Sequence, residues 1–228
     1  LNPKMEGSTY PCPHLSGCGV EFKLMQAFAK SNGIGDAELD AMLDLVAVSI
    51  AADIVPMVDE NRIMAYHGLR RLNNNPNMGL RAIIRICGLT GKEITISDVI
   101  FKIGPRINAS GRMQSGREAV ELLVARDASD AYEKAKAIDQ YNKDRKELDK
   151  RITEEANAIL EAHGELLDDK KSIVIYNKDW HKGIIGIVAS RLTELYYKPS
   201  VVLTLANGLA TGSSRSVQGL SLIHISEP

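Results

Sequence analysis

The sequence predicts an α/β protein with a mainly helical first part, a long connecting helix and a small α/β domain at its end. Apolar residues recur at helical spacing from Val20 to about Arg126, and a charge-rich stretch without Gly or Pro runs from Ser129 to about Ala162. From Ser172 onward, short β-branched runs alternate with an amphipathic helix. With 228 residues, of which 44% are hydrophobic, the chain can form one large domain or two small ones.

The overall charge favours no particular class of partner. The 28 Lys and Arg nearly cancel the 29 Asp and Glu, so any anion site must be built by local placement of arginines. The three Cys are too few for a disulfide framework, and no apolar run approaches the roughly 18 residues of a membrane span. We therefore expect a cytoplasmic protein that does not bind a membrane.

Both ends of the chain are unusual. It opens with "LNPK", without an initiator Met or a leader, and we expect that its front is missing. The last residues, "LSLIHISEP", resemble the translation of a transposase adapter used in sequencing libraries. We expect residues 221–228 to be such an artefact; the alternative is an ordinary short tail.

The first part, residues 1–126, is predicted to be helical throughout. "GVEFKLMQAFAKS" has helical spacing, and "GDAELDAMLDLVAVSIAADIVPM" predicts a helix that begins with Asp36 as N-cap and ends at Pro56. Turn signals such as "NNNPN" separate the later helices. Shorter helices are predicted around 63–72, 80–86, 98–103 and 117–124.

The middle part, residues 127–164, is predicted to be one long helix. A single helix of about 34 residues would be about 50 Å long, and Gly164 lies near its expected C-cap. We expect it to connect two bodies. Its narrow apolar stripe consists of Ala131, Ala135, Ile138, Leu148, Ile152, Ala156 and Ile159.

The last part, residues 165–220, has the order strand, helix, strand. "SIVIYN" and "SVVLTLA" predict strands on either side of the helix "GIIGIVASRLTELYY". The glycine-serine segment "ATGSSRSV" predicts a loop that leads into a third strand. This order is typical of a βαβ unit.

Asp53 is the first candidate for chemistry. It lies in the apolar helix "VSIAADIVPM", near the negative end of the helix dipole and in a place predicted to be poorly hydrated. A cation would stabilise it there. The alternatives are an exposed capping carboxylate or an internal salt bridge.

Three further segments predict anion binding. In "GPRINASGRM", predicted to be a turn, Arg106 and Arg112 flank small residues that would let a phosphate approach the backbone. In "KDWHKGIIG", His181 lies at a strand end before a helix, where α/β sheets bind ligands. In "TGSSRSV", Ser213, Ser214 and Arg215 combine hydroxyl groups with a guanidinium.

Each of these segments also has a structural explanation. An Arg of "GPRINASGRM" could pair with Asp98 or Glu118, His181 could be an ordinary surface or core residue, and "TGSSRSV" could be a polar linker. Two other patterns are weaker. "GLTGKE" lacks the spacing of a phosphate-binding P-loop, and "CPHLSGC" lacks a fourth ligand for zinc.

The motifs "GCGVEFKL", "ADIVPMVDENR", "GPRINASGRM", "WHKGIIGIVASRL" and "GSSRSV", in this order around a long polar helix, resemble the RecJ-type single-stranded-DNA-specific exonucleases of the DHH phosphoesterase superfamily. The similarity runs from Leu1 to about Gly219. It implies that residues 1–126 are the C-terminal part of a DHH catalytic core, and that residues 165–220 begin a DHH-associated domain. It also implies a metal-dependent exonuclease of DNA repair and recombination, which degrades single-stranded DNA from its 5′ end with Mn²⁺ or Mg²⁺.

The resemblance also implies roles for individual residues. Asp53 matches the aspartate of the family's "AD-hydrophobic-hydrophobic-P" motif, a metal ligand and hence catalytic. Arg106, Asn108 and Arg112 match "GPRINAAGR", whereas Ser213, Ser214 and Arg215 match "GSGRS", which grips DNA phosphate; Ser214 stands where the family usually has Gly. The DHH triplet itself is expected upstream of Leu1, so we expect the chain to be inactive alone.

Two other functions remain open at this stage. One is a DHH phosphodiesterase of short oligonucleotides or cyclic dinucleotides, against which the long helix argues. The other is a non-catalytic scaffold that binds single-stranded DNA, which the presence of Asp53 disfavours. The upstream metal ligands would decide between an enzyme and a scaffold.

Overall fold

The computed structural model of the protein describes residues 1–162 and 170–221. Its contacts divide the chain into two compact units, Leu1–Asn142 and Lys143–Pro228. The boundary between the units falls inside the long helix, and our three-part division at residues 126 and 164 stays a prediction. Gly164 and almost all of the proposed adapter segment lie outside the described residues. No helix in the described part of the chain is long and apolar enough to cross a membrane.

The first unit is helical, as predicted, and residues 1–142 contain no strand. A π-helical turn, Val99–Ile103, joins its sixth and seventh helices into one continuous segment. The helices are α1 (Gly17–Asn32), α2 (Asp36–Asp40), α3 (Leu43–Ala52), α4 (Asp59–Asn74), α5 (Met78–Ile86), α6 (Ile96–Asp98), α7 (Gly104–Met113), α8 (Gly116–Leu123) and the first part of α9 (Ala128–Glu161).

The single helix predicted from Asp36 to Pro56 is wrong, because the structure has two helices there. α2 follows the N-cap residue Gly35 and ends at Asp40, and α3 starts three residues later. The restart puts Asp44, which is fully buried, into the first turn of α3. There its carboxylate accepts hydrogen bonds from the backbone N–H groups of Leu45 (2.8 Å) and Asn77 (2.6 Å). A buried carboxylate needs such donors, and the first turn of α3 supplies one while the N-cap residue of α5 supplies the other.

Helix α9 confirms the predicted long helix. It contains 34 residues, and most of its predicted apolar stripe is buried. Ala131, Ala135 and Ile138 are buried in the first unit, whereas Ile152 and Ala156 are buried in the second. One helix therefore contributes core residues to both units.

The second unit contains the predicted βαβ arrangement. Strand β1 (Ile173–Tyr176) pairs in parallel with β2 (Ser200–Ala206), and α10 (Ile185–Tyr196) connects the two. α10 is also tied to α9 by an ion pair between Arg191 and the buried Asp149 (2.8 Å). The fold class predicted from sequence is thereby confirmed.

The predicted glycine-serine loop is instead a strand, β3 (Leu209–Arg215), which pairs antiparallel with β2. Asn207 and Gly208 form the two-residue turn between the strands, both with positive φ (53° and 78°). Asn-Gly is the most favourable dipeptide for such a turn, and the strands hydrogen-bond directly from it. Gly212 and its two serines therefore lie in a sheet, not in a loop.

The core of the first unit depends on a close crossing of α3 and α4. A Cβ added to Gly68 of α4 would lie 2.1 Å from the backbone oxygen of Leu43 and 2.6 Å from Cβ of Ala47. Any side chain at this position would therefore push the two helices apart. Ala47 and Ile50 are completely buried beside the crossing, so the shift would open the core.

We expect Gly68→Ala to lower the free energy of unfolding by about 1–3 kcal/mol, as overpacking of a close helix contact does. Urea unfolding followed by circular dichroism measures it. Gly116→Ala is the matched control, because a Cβ there meets nothing within 4 Å, and it should leave stability unchanged or slightly increase it. Equal stability of both variants would contradict the close contact between α3 and α4 at Gly68.

Candidate metal and phosphate sites

Asp53 lies at the C-terminal end of α3, where it is the C-cap residue. Its carboxylate is exposed and accepts a hydrogen bond from the hydroxyl of Ser49, one turn earlier (3.2 Å). The predicted poor hydration is therefore wrong. The helix ends at Ala52, so the carboxylate emerges from the apolar segment with oxygen lone pairs that can reach a cation.

The Asp53 carboxylate lies close enough to the Cys18 thiol to affect the pKa of that thiol. Burial raises the pKa of the Cys18 thiol, and the carboxylates of Glu21 and Asp53 raise it further. These three groups are thus close enough to interact electrostatically. A cation beside Asp53 would relieve this repulsion and the negative end of the α3 dipole. Among residues 1–162 and 170–221, no group of three His, Cys, Asp or Glu could hold a metal ion, so Asp53 offers only part of a ligand set.

The segment after Asp53 has a strained backbone that is held in place. Ile54 has φ +52° although it is β-branched, and its side chain is 77% exposed. Asn61, fully buried on α4, donates from Nδ2 to the backbone oxygens of His14 (2.7 Å) and Pro56 (3.0 Å). These bonds fix the path of the chain immediately after the carboxylate.

The segment "GPRINASGRM" is a helix, α7, and the predicted turn is wrong. Its small residues serve packing. Ala109 and Ser110 are completely buried, and a Cβ on Gly104 would lie 3.3 Å from that of Ala52 in α3. Pro105 follows directly after the π-helical turn, and because it has no N–H it leaves one position of the hydrogen-bond ladder without a donor there.

The helix separates the residues that the sequence grouped together. Arg106 donates from Nε to the carboxylate of Asp139 on α9 (2.8 Å) and from Nη1 to the backbone oxygen of Lys102 (2.7 Å). Asn108 and Arg112 are exposed and lie four residues apart, on one face of α7. Arg112 comes six positions after Arg106, which places the two about 120° apart around the helix.

In the second unit, the loop after β1 positions His181. Trp180 is buried and donates from Nε1 to the carboxylate of Glu155 (2.8 Å), while its backbone oxygen accepts from the hydroxyl of Thr204 (2.6 Å). His181 Nδ1 accepts from the backbone N–H of Gly183 (3.1 Å). In the neutral imidazole the proton therefore lies on Nε2, which can donate to an anion.

Arg215 forms a polar cluster with the start of α10, and we call this the Arg215 cluster: Gly186, Ser190, Ser213 and Arg215. The guanidinium donates from Nε to the hydroxyl of Ser190 (3.1 Å) and from Nη1 to that of Ser213 (3.3 Å). Gly186 permits this approach, because a Cβ there would lie 3.1 Å from the Ser213 hydroxyl oxygen. A positive helix end, the Ser213 hydroxyl and a guanidinium together suit a phosphate, while Ser190, whose hydroxyl donates to the Gly186 carbonyl oxygen (3.1 Å), positions the guanidinium.

Ser214 differs from its neighbours. Side chains alternate along a strand, so Ser213 and Arg215 share one face of β3 while Ser214 points to the other. Only the backbone oxygen of Ser214 reaches Arg215, accepting from Nη1 (2.8 Å).

The sequence analysis missed Ser190, Thr204 and Glu155. Ser190 could have been found, because it follows Gly186 by one helical turn and thus shares its face. Nothing in the local pattern marks Thr204 or Glu155, whose roles depend on partners 24 and 25 residues away.

Comparison with known proteins shows consistent similarity to one group. The chain is 39% identical to the single-stranded-DNA-specific exonuclease RecJ of Bacillus subtilis over 224 residues, which cover 97% of this chain and 27% of that protein. It is 36% identical to the RecJ of Haemophilus influenzae, covering 100% and 41% of the two chains. No protein-family model matches the chain.

Solved structures show similarity to the same group of proteins. The crystal structure of RecJ from Thermus thermophilus in complex with Mn²⁺ matches with a TM-score of 0.79 and 27% identity, covering 98% of this chain and 32% of that one. An exonuclease RecJ bound to manganese matches with a TM-score of 0.77 and 28% identity, covering 98% and 53%. The chain thus spans about a quarter to two-fifths of the curated relatives and up to about half of a solved one.

We expect Ile54→Asn to raise the free energy of unfolding by about 1 kcal/mol, because Asn tolerates the left-handed conformation that strains a β-branched residue. Ile63→Asn is the control. Ile63 is also an exposed isoleucine (60%), but it lies within α4, where Asn should weaken the helix slightly. Urea unfolding of both variants is the measurement, and destabilisation by Ile54→Asn would show that no strain is stored there.

Proposed function

Since this chain corresponds to part of the RecJ-type single-stranded-DNA-specific exonucleases, we propose that it acts in the removal of nucleotides from the 5′ end of single-stranded DNA, in DNA repair and recombination. The observation that carries the proposal is the Arg215 cluster, a guanidinium held by two serine hydroxyls at the start of α10. Asp53, an exposed carboxylate at the end of α3, would add a metal ligand. We place this activity in the cytoplasm.

Asp53 would hold Mn²⁺ or Mg²⁺, together with ligands from outside the residues described. A divalent cation at such a site polarises the scissile phosphate and activates water. The chain's own contribution is to position the carboxylate: Ser49 orients one oxygen, and the bonds from Asn61 hold the strained segment that follows. Because the backbone there is already fixed, little reorganisation accompanies metal binding.

Phosphate contacts would hold the strand in register. Arg215 and Ser213 would bind one phosphate, with the carbonyl oxygen of Ser214 orienting the guanidinium, and His181 can donate from Nε2 to the same anion or a neighbouring one. Asn108 and Arg112 share an exposed face of α7 and would bind a further phosphate. Arg106 would act mainly through its ion pair with Asp139, which anchors α7. Aromatic residues form only 5% of the chain, so backbone contacts should outweigh base stacking.

Asp53→Ala, made in the full-length protein that contains this chain, should lower turnover at least a hundredfold and leave binding of single-stranded DNA within about twofold. Loss of a metal ligand acts on the chemical step, whereas affinity depends mostly on phosphate contacts. The measurement is release of mononucleotides from a 5′-phosphorylated oligonucleotide in saturating Mn²⁺.

Asp40→Ala is the matched control, since Asp40 is an exposed carboxylate at the end of α2, and it should retain full activity. Near-normal turnover of Asp53→Ala would remove Asp53 from the metal site. The 228-residue chain alone should show no metal-dependent release of nucleotides, because one carboxylate does not position a divalent ion pair.

We further propose that Arg112 and Arg215 each bind a phosphate of single-stranded DNA. Each Arg→Ala variant should then weaken binding of a 5′-phosphorylated oligonucleotide more than that of its 5′-hydroxyl counterpart, and reduce the salt dependence by about one charge. Arg117→Ala, which removes an exposed cation paired with Glu121, should have little effect. If the variants lost equal affinity for the 5′-phosphorylated and the 5′-hydroxyl oligonucleotide, both arginines would bind the DNA backbone in general and not its 5′ end.

A further inference from the structure

A concave pocket of about 510 Å³ lies in the first unit, away from every residue assigned above. It lies within the range of about 300–1,000 Å³ that small-molecule sites occupy. We call it the α5 pocket. Its walls come from the end of α4, from α5, from the loop between α5 and α6, and from the start of α9. The polar and charged part of the lining includes Arg81, Arg85, Thr90, Gly91, Lys92 and Tyr132.

The α5 pocket is basic and its lining contains no carboxylate. Arg81 and Arg85 lie one turn apart on α5, and Lys92 lies on the loop opposite them. In the part of the chain that the structure describes, none of the three forms an ion pair, in contrast to Arg106 with its Asp139. The protein as a whole carries a formal charge of −1, so three uncompensated cations around one cavity are a local feature.

The acidic residues on either side of Tyr132 in α9 are paired with lysines of the same helix. Asp130 pairs with Lys134, and Glu133 pairs with Lys136 at 2.7 Å. Neither carboxylate lines the pocket. In both pairs the lysine lies on α9 itself, so these carboxylates are not paired with the arginines of α5.

The cations are held in place before any ligand arrives. The guanidinium carbon of Arg85 lies 4.6 Å from the ring centroid of Tyr132, so the group is stacked and its N–H edges stay available. Arg81 donates from Nη2 to the side-chain oxygen of Asn75 (3.1 Å). A preorganised guanidinium loses less entropy when it binds an anion.

The loop that carries Lys92 is also fixed. Asn73 of α4 accepts from the backbone N–H of Ile94 (2.7 Å) and donates to its carbonyl oxygen (3.0 Å). Gly91, with φ +74°, makes the turn that brings Lys92 to the pocket. Buried Leu72, Leu89 and Ile94 contribute an apolar floor.

We propose that the α5 pocket binds the phosphate of a nucleotide, with the base or sugar against the apolar floor. Guanidinium forks suit phosphate oxygens, and three cations around one cavity fit a single compact anion better than an extended acidic peptide. The choice of a nucleotide over other phosphorylated molecules rests on the proposed function. The phosphate could belong to a free mononucleotide or to a DNA strand, and the experiment separates these sources.

The test uses the 228-residue chain in EDTA, so that no metal-dependent step contributes. Amide resonances of Gly91 and Lys92 are followed while dTMP, thymidine, inorganic phosphate or the tetranucleotide p(dT)4 is added. We expect dTMP to shift both resonances with at least tenfold higher affinity than thymidine, because the phosphate supplies the charge, and higher affinity than inorganic phosphate, because the floor supplies apolar contact. Tighter binding of p(dT)4 than of dTMP identifies a strand as the source, and the reverse identifies a mononucleotide.

Arg85→Ala and Lys92→Ala should each weaken dTMP binding at least threefold, and Arg85→Lys should recover part of the loss. Arg70→Ala is the matched control: it removes an exposed arginine that also lies over a tyrosine, Tyr66 at 5.8 Å, but does not line the pocket. Asp53→Ala should leave binding unchanged, so that failure of the exonuclease proposal and failure of this one are distinguishable.

Three outcomes would overturn the proposal. Equal binding of thymidine and dTMP would exclude phosphate recognition. Inorganic phosphate binding as tightly as dTMP would exclude a nucleotide. Displacement of dTMP by hexaglutamate at a lower concentration than by p(dT)4 would assign the pocket to an acidic peptide.

Discussion

The close packing of α3 against α4 is the constraint on which the first unit depends. Gly68 lets the two backbones meet, and the apolar residues of α3 are then buried along almost its whole length. The contact between α3 and α4 also determines where a functional carboxylate can lie, because α3 ends where its buried face ends. Asp53 stands at that point, and Asn61 of α4 lies near enough to bind the chain that follows. A carboxylate is thus placed precisely by the core rather than by a loop.

In the second unit, hydrogen bonds position the candidate site residues. The loop after β1 carries the buried side chain of Trp180, whose indole N–H needs a partner once it is buried. Glu155 and Thr204 supply bonds to the indole N–H and to the backbone oxygen of the same residue. His181 is therefore carried on a loop fixed from both α9 and β2. The Arg215 cluster likewise depends on Gly186 and Ser190, which α10 places one turn apart.

Periodic features of the sequence predicted the fold well, and glycine-rich segments did not. The stripe of α9 and the order strand, helix, strand follow from spacing alone, because burial imposes it. "GPRINASGRM" and "TGSSRSV" were predicted as turn and loop because Gly and Ser are common there. In the structure their small residues permit close contact, with Ala52 in one case and with α10 in the other. The Asn207-Gly208 dipeptide was a readable hairpin signal that would have identified β3. The partners of Arg106 and Trp180 depend on tertiary packing, which no local pattern contains.

The three kinds of arginine in this chain show why a motif does not by itself assign a role. Arg106 lies in a conspicuous motif, yet its charge is balanced by Asp139 at 2.8 Å and both side chains are largely buried. Arg215 lies in a less conspicuous segment, yet among residues 1–162 and 170–221 the partners of its side chain are hydroxyls and a carbonyl, which orient the guanidinium and leave its charge uncompensated. Arg85 belongs to no motif at all, and a tyrosine ring orients it in the same uncompensated way. Whether an arginine can bind an anion thus depends on the residue that positions its guanidinium. If that residue also neutralises the charge of the guanidinium, the arginine loses its attraction for an anion. Neutral partners preserve the electrostatic attraction for phosphate, whereas a carboxylate partner converts the arginine into a structural element.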